Sequence, residues 1–416
     1  MIYEFSFENY RSYRKEATID FTAKPINEFE NSLLKVNDEE KLLPVCAIYG
    51  PNGGGKRSVI LNELRFIVMQ PLIQLAFMKK KNEELGETSI LQLQEGLTDR
   101  HTFSSYYKFD DECKDKPTKY NVLFQVDKYK YRYEFELNNE NIIVENLYME
   151  EDGAVKAVFE RDKEGVYLCE ELEGIDIENM NESLPLFSYI AMLKNIPVID
   201  RAMSFFMQIK VLNYDKPNVD RRILVDRIEN DKVRVCNVIQ SMGIDICDIR
   251  VEYKEDGSID EIYTIHELSS GEKKTLRLSE ESGGTKKIIS IIPILLSGIE
   301  KNSLFLIDEL DAKLHPLLLR KIIELFTDRE INSGTAQLLF TSHDLTTMSN
   351  DVLRRDEIWF SAINGYDESV LYSLVDFRKE GGNKPRNDEN YSKQYMEGRY
   401  GADPYFKKLI DWEVSD

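Results

Sequence analysis

The sequence predicts an α/β protein with a mixed, mainly parallel core sheet, an antiparallel β subdomain and an inserted helical region. Three observations carry this. In the last third, apolar strand-like runs ("SLFLID", "AQLLFTSHD") alternate with helix-like runs ("TKKIISIIPILLSGIE", "LHPLLLRKIIELFTDRE"), the pattern of parallel strands joined by helices. Over about 119–168 apolar and polar residues alternate with period two, with turn signals at Asn138–Asn139 and Asp152–Gly153, which reads as an antiparallel meander. From 183 to 248 the apolar spacing is mostly helical, as in "PLFSYIAMLKNIPVIDRAMSFFMQIKVL" and "VDRIENDKVRVCNVIQSMGI".

Taken in order, residues 1–23 alternate through Ile2, Phe5 and Phe7, then Ala17, Ile19 and Phe21, a strand pair around a turn near Asn9–Arg14. "LPVCAIY" (43–49) is the short, nearly continuous apolar run that a buried parallel strand needs. A glycine-rich loop follows, then "SVILNELRFIVMQPLIQLAFM", whose three- and four-residue spacing makes a helix. Residues 79–118 are charge-rich and read as a helix end plus a variable surface insertion. After the meander and the helical stretch, "DIRVEYKEDGSIDEIYTIHE" is a hairpin leading into the last third. The expected units are 1–78, 79–182, 183–248 and 249–416, the first and last being halves of one α/β domain.

The chain has 416 residues, 42% of them hydrophobic, with 22 Tyr and 20 Phe, enough for a large packed core. Its formal charge of −21 argues against a surface built to grip nucleic acid, while leaving local basic patches open. Five scattered cysteines show no ligand spacing and read as buried thiols of a reducing compartment. The start "MIYEFSFENYRSYRKE" lacks an apolar signal core, and the longest apolar run, near Ile288–Ile299, is too short to span a bilayer. A soluble, cytoplasmic chain with no membrane partner is the expectation.

Four motifs carry chemistry. "GPNGGGKRS" (50–58) sits between a strand and a helix, the context of a phosphate-binding loop. There Gly50, Gly53, Gly54 and Gly55 let backbone N–H groups converge on phosphate, with Asn52 in the same turn, and Lys56 reaches the β- and γ-phosphates. The bland alternative is a sharp turn without a ligand. Arg57 stands where Ser or Thr normally gives Mg²⁺ a hydroxyl; it has no oxygen and repels the ion. Ser58 has a hydroxyl but lies one helical step, about 100°, away.

"LFLIDEL" (304–310) runs into Asp308 and Glu309 at the C-terminal end of a strand, where open α/β sheets hold ligands. Asp308 suits Mg²⁺, and Glu309 suits polarising an attacking water. "LLFTSHD" (338–344) ends a further strand in Ser342 and His343, placing the histidine to meet a γ-phosphate. A Ser/Gly cluster occurs twice, as "LSSGEKK" (268–274) and "SEESGGTKK" (279–287); either would aim hydroxyl and amides at phosphate, and only the second runs straight into a strong helix.

The order of the N-terminal strands, "GPNGGGK", "SGG", "LFLIDE" and "TSHD" resembles the ABC-type ATPase heads of SMC, RecF and OLD proteins, and "FSFENYRSYRKEATIDF" looks like their first strands. More closely, "EESGGTKK", "LIDELDAKLHP" and "GRYGADPYF" (398–406) look like the bacterial AAA/ABC-type ATP-binding proteins of phage-defence operons. Examples are the ATPase partner in AbiL-type abortive infection and related systems that pair an ATPase with a TOPRIM-domain nuclease.

The resemblance implies an ABC-ATPase head fold that binds ATP with Mg²⁺. Residues 50 and 52–58 hold nucleotide, Asp308 the metal, and Glu309 and His343 are catalytic, His343 as the switch histidine. Asp311 matches the D-loop. Ser282, Gly283 and Gly284 match the ABC signature, which completes the site of a second head; the interval to Asp308 is 26 residues, against 39 from Ser269, and only the shorter fits the family. Gln125 is a candidate for the Q-loop, and Tyr10 or Tyr13 for stacking on adenine. A symmetric homodimer sandwiching two ATP molecules, open to higher assembly, is expected. Residues 183–248 would then form a dimer or partner surface. No heptad run supports a long coiled coil.

The function so implied is an ATP-hydrolysing regulator or sensor in abortive infection, gating a separate effector, a nuclease or toxin of TOPRIM type, since no TOPRIM-like acidic cluster follows His343. The alternative is a DNA repair or recombination ATPase touching backbone phosphates through Lys273–Lys274, Lys286–Lys287, Arg354–Arg355 and Lys407–Lys408. A non-hydrolysing nucleotide-gated scaffold is a third reading, motivated by Arg57.

Overall fold

The computed structural model describes residues 1–56, 61–81, 106–138, 141–178, 180–212, 221–364, 366–378, 382 and 384–402. Strands β1 (Ile2–Glu8) and β2 (Ala17–Asp20) pair antiparallel around the Tyr10–Tyr13 bridge, as their alternation predicts. A small ribbon, β3 (Leu34–Lys35) with β4 (Lys41–Leu42), leads to β5 (Val45–Tyr49), all five of whose residues are buried. Helix α1 (Asn62–Lys81) follows the glycine-rich loop.

The meander comprises β6 (Thr118–Val126), β7 (Tyr129–Asn138), β8 (Asn141–Glu151), β9 (Ala154–Asp162) and β10 (Gly165–Leu168). It continues through β6 onto β1 and β2, giving one seven-stranded antiparallel sheet. The expected boundary at 78/79 therefore does not separate two sheets, because β1 hydrogen-bonds to β6 along its length.

The region expected as a helical insertion divides in three. Helices α2 (Leu186–Leu193) and α3 (Pro197–Gln208) pack on the meander, with Phe205 stacked on Phe124 at 4.3 Å between ring centroids. Helix α2 is apolar on most sides, and α3 buries one apolar face (Val198, Ile199, Ala202, Met203, Phe205 and Phe206) in the same cluster while Asp200 and Gln208 face outward, so both serve the core. Next, β11 (Ile209–Leu212) joins the core sheet as a parallel strand beside a later one. Among the described residues, α4 (Arg221–Ser241), which kinks at Asp231, is the helix beyond it.

A three-stranded antiparallel unit follows: β12 (Ile246–Tyr253), β13 (Ile259–Glu267) and β14 (Lys273–Arg277). Then come α5 (Gly283–Glu300), β15 (Leu304–Ile307), α6 (Pro316–Thr327), β16 (Gln337–Thr341), β17 (Ile358–Ile363), β18 (Ser369–Ser373) and α7 (Tyr391–Met396). The core sheet runs β11-β15-β16-β5-β17-β18, parallel except for the antiparallel edge strand β18.

Alternate residues of the core strands feed two apolar clusters. Cys46, Ile48, Leu304 and Leu306 face the meander with α1–α3, while Val45, Ala47, Tyr49, Phe305 and Ile307 face α4–α6. The core sheet is thus covered on both faces, as parallel sheets require. Its loops at the C-terminal strand ends are left to carry chemistry.

Candidate nucleotide site

The glycine-rich loop leaves β5 through a slot too narrow for side chains. Gly50 has φ 155°, and a Cβ there would lie 2.1 Å from the Ser361 carbonyl oxygen on β17. Gly55 has φ 89°, and its Cβ would lie 2.6 Å from Ser12 Oγ and 2.8 Å from both Ser369 Oγ and a Tyr13 ring carbon. Glycine at these two positions is demanded by close approach as well as by backbone angle. Ser361 and Tyr13 are joined behind the loop, hydroxyl to hydroxyl, at 2.6 Å, and Ser361 Oγ also donates to the Gly54 carbonyl. Asn52 and Gly53 are exposed at the tip.

Lys56 closes the described part of the loop, and its side chain is buried. Its ammonium donates to the Gly50 carbonyl at 2.6 Å and lies 3.2 Å from His343 Nε2. Burial lowers its pKa to about 8, against the pull of Asp311, Glu309 and Asp308, which favour the charged form. Arg57 and Ser58, the two positions expected to decide metal binding, lie outside the described residues.

The acids follow β15. Thr341, wholly buried at the end of β16, donates through Oγ1 to Asp308 Oδ1 at 2.7 Å and accepts the Glu309 N–H at 2.8 Å. One hydroxyl therefore aims two consecutive acidic residues. Glu309 has φ 49°, in the left-handed region, and its side chain is exposed. The His343 N–H donates to Asp311 Oδ1 at 3.2 Å. Lys56, Asp308, Glu309, Asp311 and His343 thus meet at the C-terminal ends of β5, β15 and β16, three neighbouring parallel strands. That is the ligand-binding edge of an open α/β sheet.

Ser282–Gly284 stand elsewhere. Ser282 caps α5, its Oγ accepting the Thr285 N–H at 3.1 Å, and Ser282 and Gly283 are exposed. A Cβ on Gly284 would lie 3.4 Å from the Lys313 carbonyl oxygen. Lys287, one turn on, donates to the carbonyls of Leu310, at 3.1 Å, and Ala312. Burial lowers its pKa to about 8. The "SGG" turn is therefore tied to the loop after Glu309 of its own chain, with Ser282 and Gly283 facing outward and Gly284 against the Lys313 carbonyl. The other cluster, Leu268–Gly271, is the hairpin turn between β13 and β14, closed by the Gly271 N–H donating to the Leu268 carbonyl at 2.8 Å.

Three expectations are corrected. Gln125 lies at the end of β6 that pairs with Ile2, where it accepts from Tyr3 and donates to the Asp127 carbonyl, at the far end of β1 from the turn that touches Gly55. Tyr13 and Tyr10 are buried against Phe7, Tyr13 edge-on at 5.0 Å, so both serve as core and offer adenine no open face. Of the basic pairs, Lys287 and Arg354 are buried, and Lys407–Lys408 lie outside the described residues. The sequence motifs give no role to Thr341 or Ser361, and they include Lys287 only as half of a basic pair, not as an anchor of the loop after Glu309. Thr341 alone carried a signal, as the hydroxyl residue just before Ser342–His343 at a strand end.

Among the described residues no group of three or more His, Cys, Asp or Glu side chains forms a metal cage. Mg²⁺ needs no such cage when phosphates supply most of its ligands, and the Asp308 carboxylate, held by Thr341, fits the protein's share of that coordination. No helix among the described residues is long and apolar enough to cross a membrane.

Residues 180–349 match the family model described as "AAA domain, putative AbiEii toxin, Type IV TA system". No curated protein matches. Solved structures similar in outline include the SMC head domain from Thermotoga maritima, at 12% identity and TM-score 0.42, covering 89% of this chain and 98% of that one. An Smc head bound to the C-terminal winged-helix domain of ScpA gives 13% identity and TM-score 0.46, covering 89% and 97%. A third, the Smc head with an extended coiled coil bound to the C-terminal domain of ScpA derived from Pyrococcus furiosus, gives 11% and 0.45, covering 89% and 96%. The family match lays an AAA-type domain over residues 180–349, and the phosphate-loop candidate Gly50–Lys56 approaches it in space from outside that range.

Proposed function

We propose that the chain is an ATP-binding and hydrolysing head that closes on a second copy around nucleotide and so gates a separate effector. The observation that carries this is the convergence of Lys56, Asp308, Glu309, Asp311 and His343 on one sheet edge. The amides of Gly53–Lys56 cradle the phosphates, and the Lys56 ammonium exchanges the Gly50 carbonyl for phosphate oxygens. Glu309, exposed and set by Thr341, takes the proton of the attacking water, and His343 meets the γ-phosphate. Mg²⁺, held by Asp308, neutralises phosphate charge when bound. Ser282–Gly284, of which Ser282 and Gly283 are exposed, serve the site of the second copy, making a symmetric homodimer that higher assembly can extend.

The toxin–antitoxin description of the matched family supports a place in a bacterial defence module; the cytoplasm is the compartment we propose for it. The effector is then a distinct toxin or nuclease, of which TOPRIM type is one form. Arg57 weakens the metal site, so hydrolysis is slow while binding persists. The test is Mg²⁺-dependent ATP turnover of the parent and of Arg57→Ser. A rise in the variant is expected; equal, robust turnover in both forms refutes the claim of an impaired site.

A DNA-dependent ATPase is favoured only by the exposed strand β14, with Lys273, Lys274 and Arg277. Lys274 is already paired with Glu272. Duplex binding at low salt that weakens steeply as salt rises would establish this second reading; no binding at low salt excludes it.

A further inference from the structure

Glu281 immediately precedes Ser282 and is buried, in a stretch where Leu268–Arg277 is exposed throughout. Its Oε1 accepts from the hydroxyl of Thr264, wholly buried on β13, and lies 2.6 Å from His266 Nε2 on the same strand face. On the far side of the turn, Lys287 ties α5 to the carbonyls of Leu310 and Ala312, just beyond Glu309. The exposed Ser282 and Gly283 are thus suspended between two anchors. One is the carboxylate latch to β13; the other is the loop that carries the candidate acids. A short, solvent-facing turn has few contacts of its own to hold its direction, so the anchors set it.

The geometry points to Glu281 as a positioning residue. Through Thr264 and His266 it fixes the direction in which Ser282–Gly284 face the nucleotide of a second copy, without itself touching that nucleotide. This rests on the sandwich reading above and adds to it the residue that holds the trans-acting turn in register. Loosening the latch should leave the phosphate loop of the same chain untouched and impair the site that this chain completes on its partner.

The experiment uses the full chain carrying Glu309→Gln, and measures ATP-dependent dimerisation by light scattering together with equilibrium binding of a fluorescent ATP analogue. Two reference substitutions are added to that background, Glu281→Ala and Ser282→Arg, along with the conservative Glu281→Gln, which keeps an acceptor for Thr264. Glu281→Ala is expected to weaken nucleotide-driven dimerisation on the order of tenfold or more, as misorientation of a positioned group does. The nucleotide affinity of the isolated chain should stay within about twofold, because Lys56 and its loop are not part of the latch. Glu281→Gln should recover most of the dimerisation.

If the background protein forms no dimer with ATP, or Ser282→Arg leaves dimerisation unchanged, the sandwich reading falls and this inference with it. If Ser282→Arg abolishes the dimer while Glu281→Ala leaves it at the parent level, the sandwich stands and the latch is refuted. Equal losses of nucleotide affinity and dimerisation in Glu281→Ala would mark a general folding defect and also overturn the positioning role.

Discussion

Thr341→Val removes one hydroxyl and almost nothing else. The side chains are nearly isosteric, so the substitution opens little cavity at the wholly buried end of β16. The strand register is kept by the main chain, including the Leu310 N–H donating to the Thr341 carbonyl at 3.1 Å. Two hydrogen bonds go. The one to Asp308 Oδ1 involves a charged acceptor and is worth about 1.5–3 kcal/mol; the one from the Glu309 N–H is a neutral bond worth about 1 kcal/mol. Together they predict a destabilisation of about 2.5–4 kcal/mol, read from urea denaturation, and a larger consequence for chemistry. With both acids released, Mg²⁺-dependent ATP turnover should drop on the order of 100-fold, the scale of a small misplacement at a reacting centre. The turnover assay is run in the Arg57→Ser background, where the metal-side hydroxyl is restored. Thr341→Ser keeps the hydroxyl and loses only a methyl, so it should retain most of the activity. If Val matches the parent in both stability and turnover, or if Ser fails as badly as Val, the shared-hydroxyl argument is refuted.

Two further outcomes follow from buried carboxylates far from this edge. Glu357 is buried beside Asp356, and desolvation first, then that neighbour, raises its pKa from 4.5 to about 8. A carboxyl whose folded pKa is raised binds its proton more tightly in the folded state, so its contribution is full below about 4.5 and lost as pH rises through about 8. Thermal unfolding midpoints should therefore fall across that upper range, and Glu357→Gln should flatten the fall; an unchanged slope in the variant refutes the assignment. Glu145, fully buried on β8, accepts the N–H groups of Leu186 at 2.6 Å and Phe187 at 2.9 Å at the start of α2, and the Tyr133 hydroxyl at 2.9 Å. Glu145→Ala orphans these donors and leaves the Arg161 guanidinium, 3.5 Å away, without its carboxylate, so urea denaturation should show a loss of about 3–5 kcal/mol; a midpoint equal to the parent's would show that α2 does not depend on this cap.

Much of the fold and the outline of the site are legible along the chain because both are local. The five buried residues of β5 followed by glycines, and the apolar run into Asp308–Glu309, each put a strand end and its loop within one window of sequence. What escapes is whatever depends on a partner hundreds of residues away. Nothing near Gly50 announces that it must slide past the Ser361 carbonyl, because that constraint belongs to the close packing of β17 against the loop. Periodicity reports that α2 and α3 are apolar, and not that the meander is what they cover. The four residues of β11, "IKVL", directly continue a helix, and only the edge of β15 beside them makes them a strand. Sequence adjacency also misleads over charge. Lys286–Lys287 and Arg354–Arg355 read as basic pairs, yet Lys287 is consumed by the Leu310 and Ala312 carbonyls, and Arg354 by the Asp356 carboxylate. The Glu281 latch belongs to the same class. Thr264 and His266 face one side of β13 with period two, but they meet Glu281 only because the hairpin pairs Thr264 with Leu276 and returns the chain alongside. The reacting groups of such a site are therefore the part a sequence exposes, whereas the residues that aim them are set by register and packing.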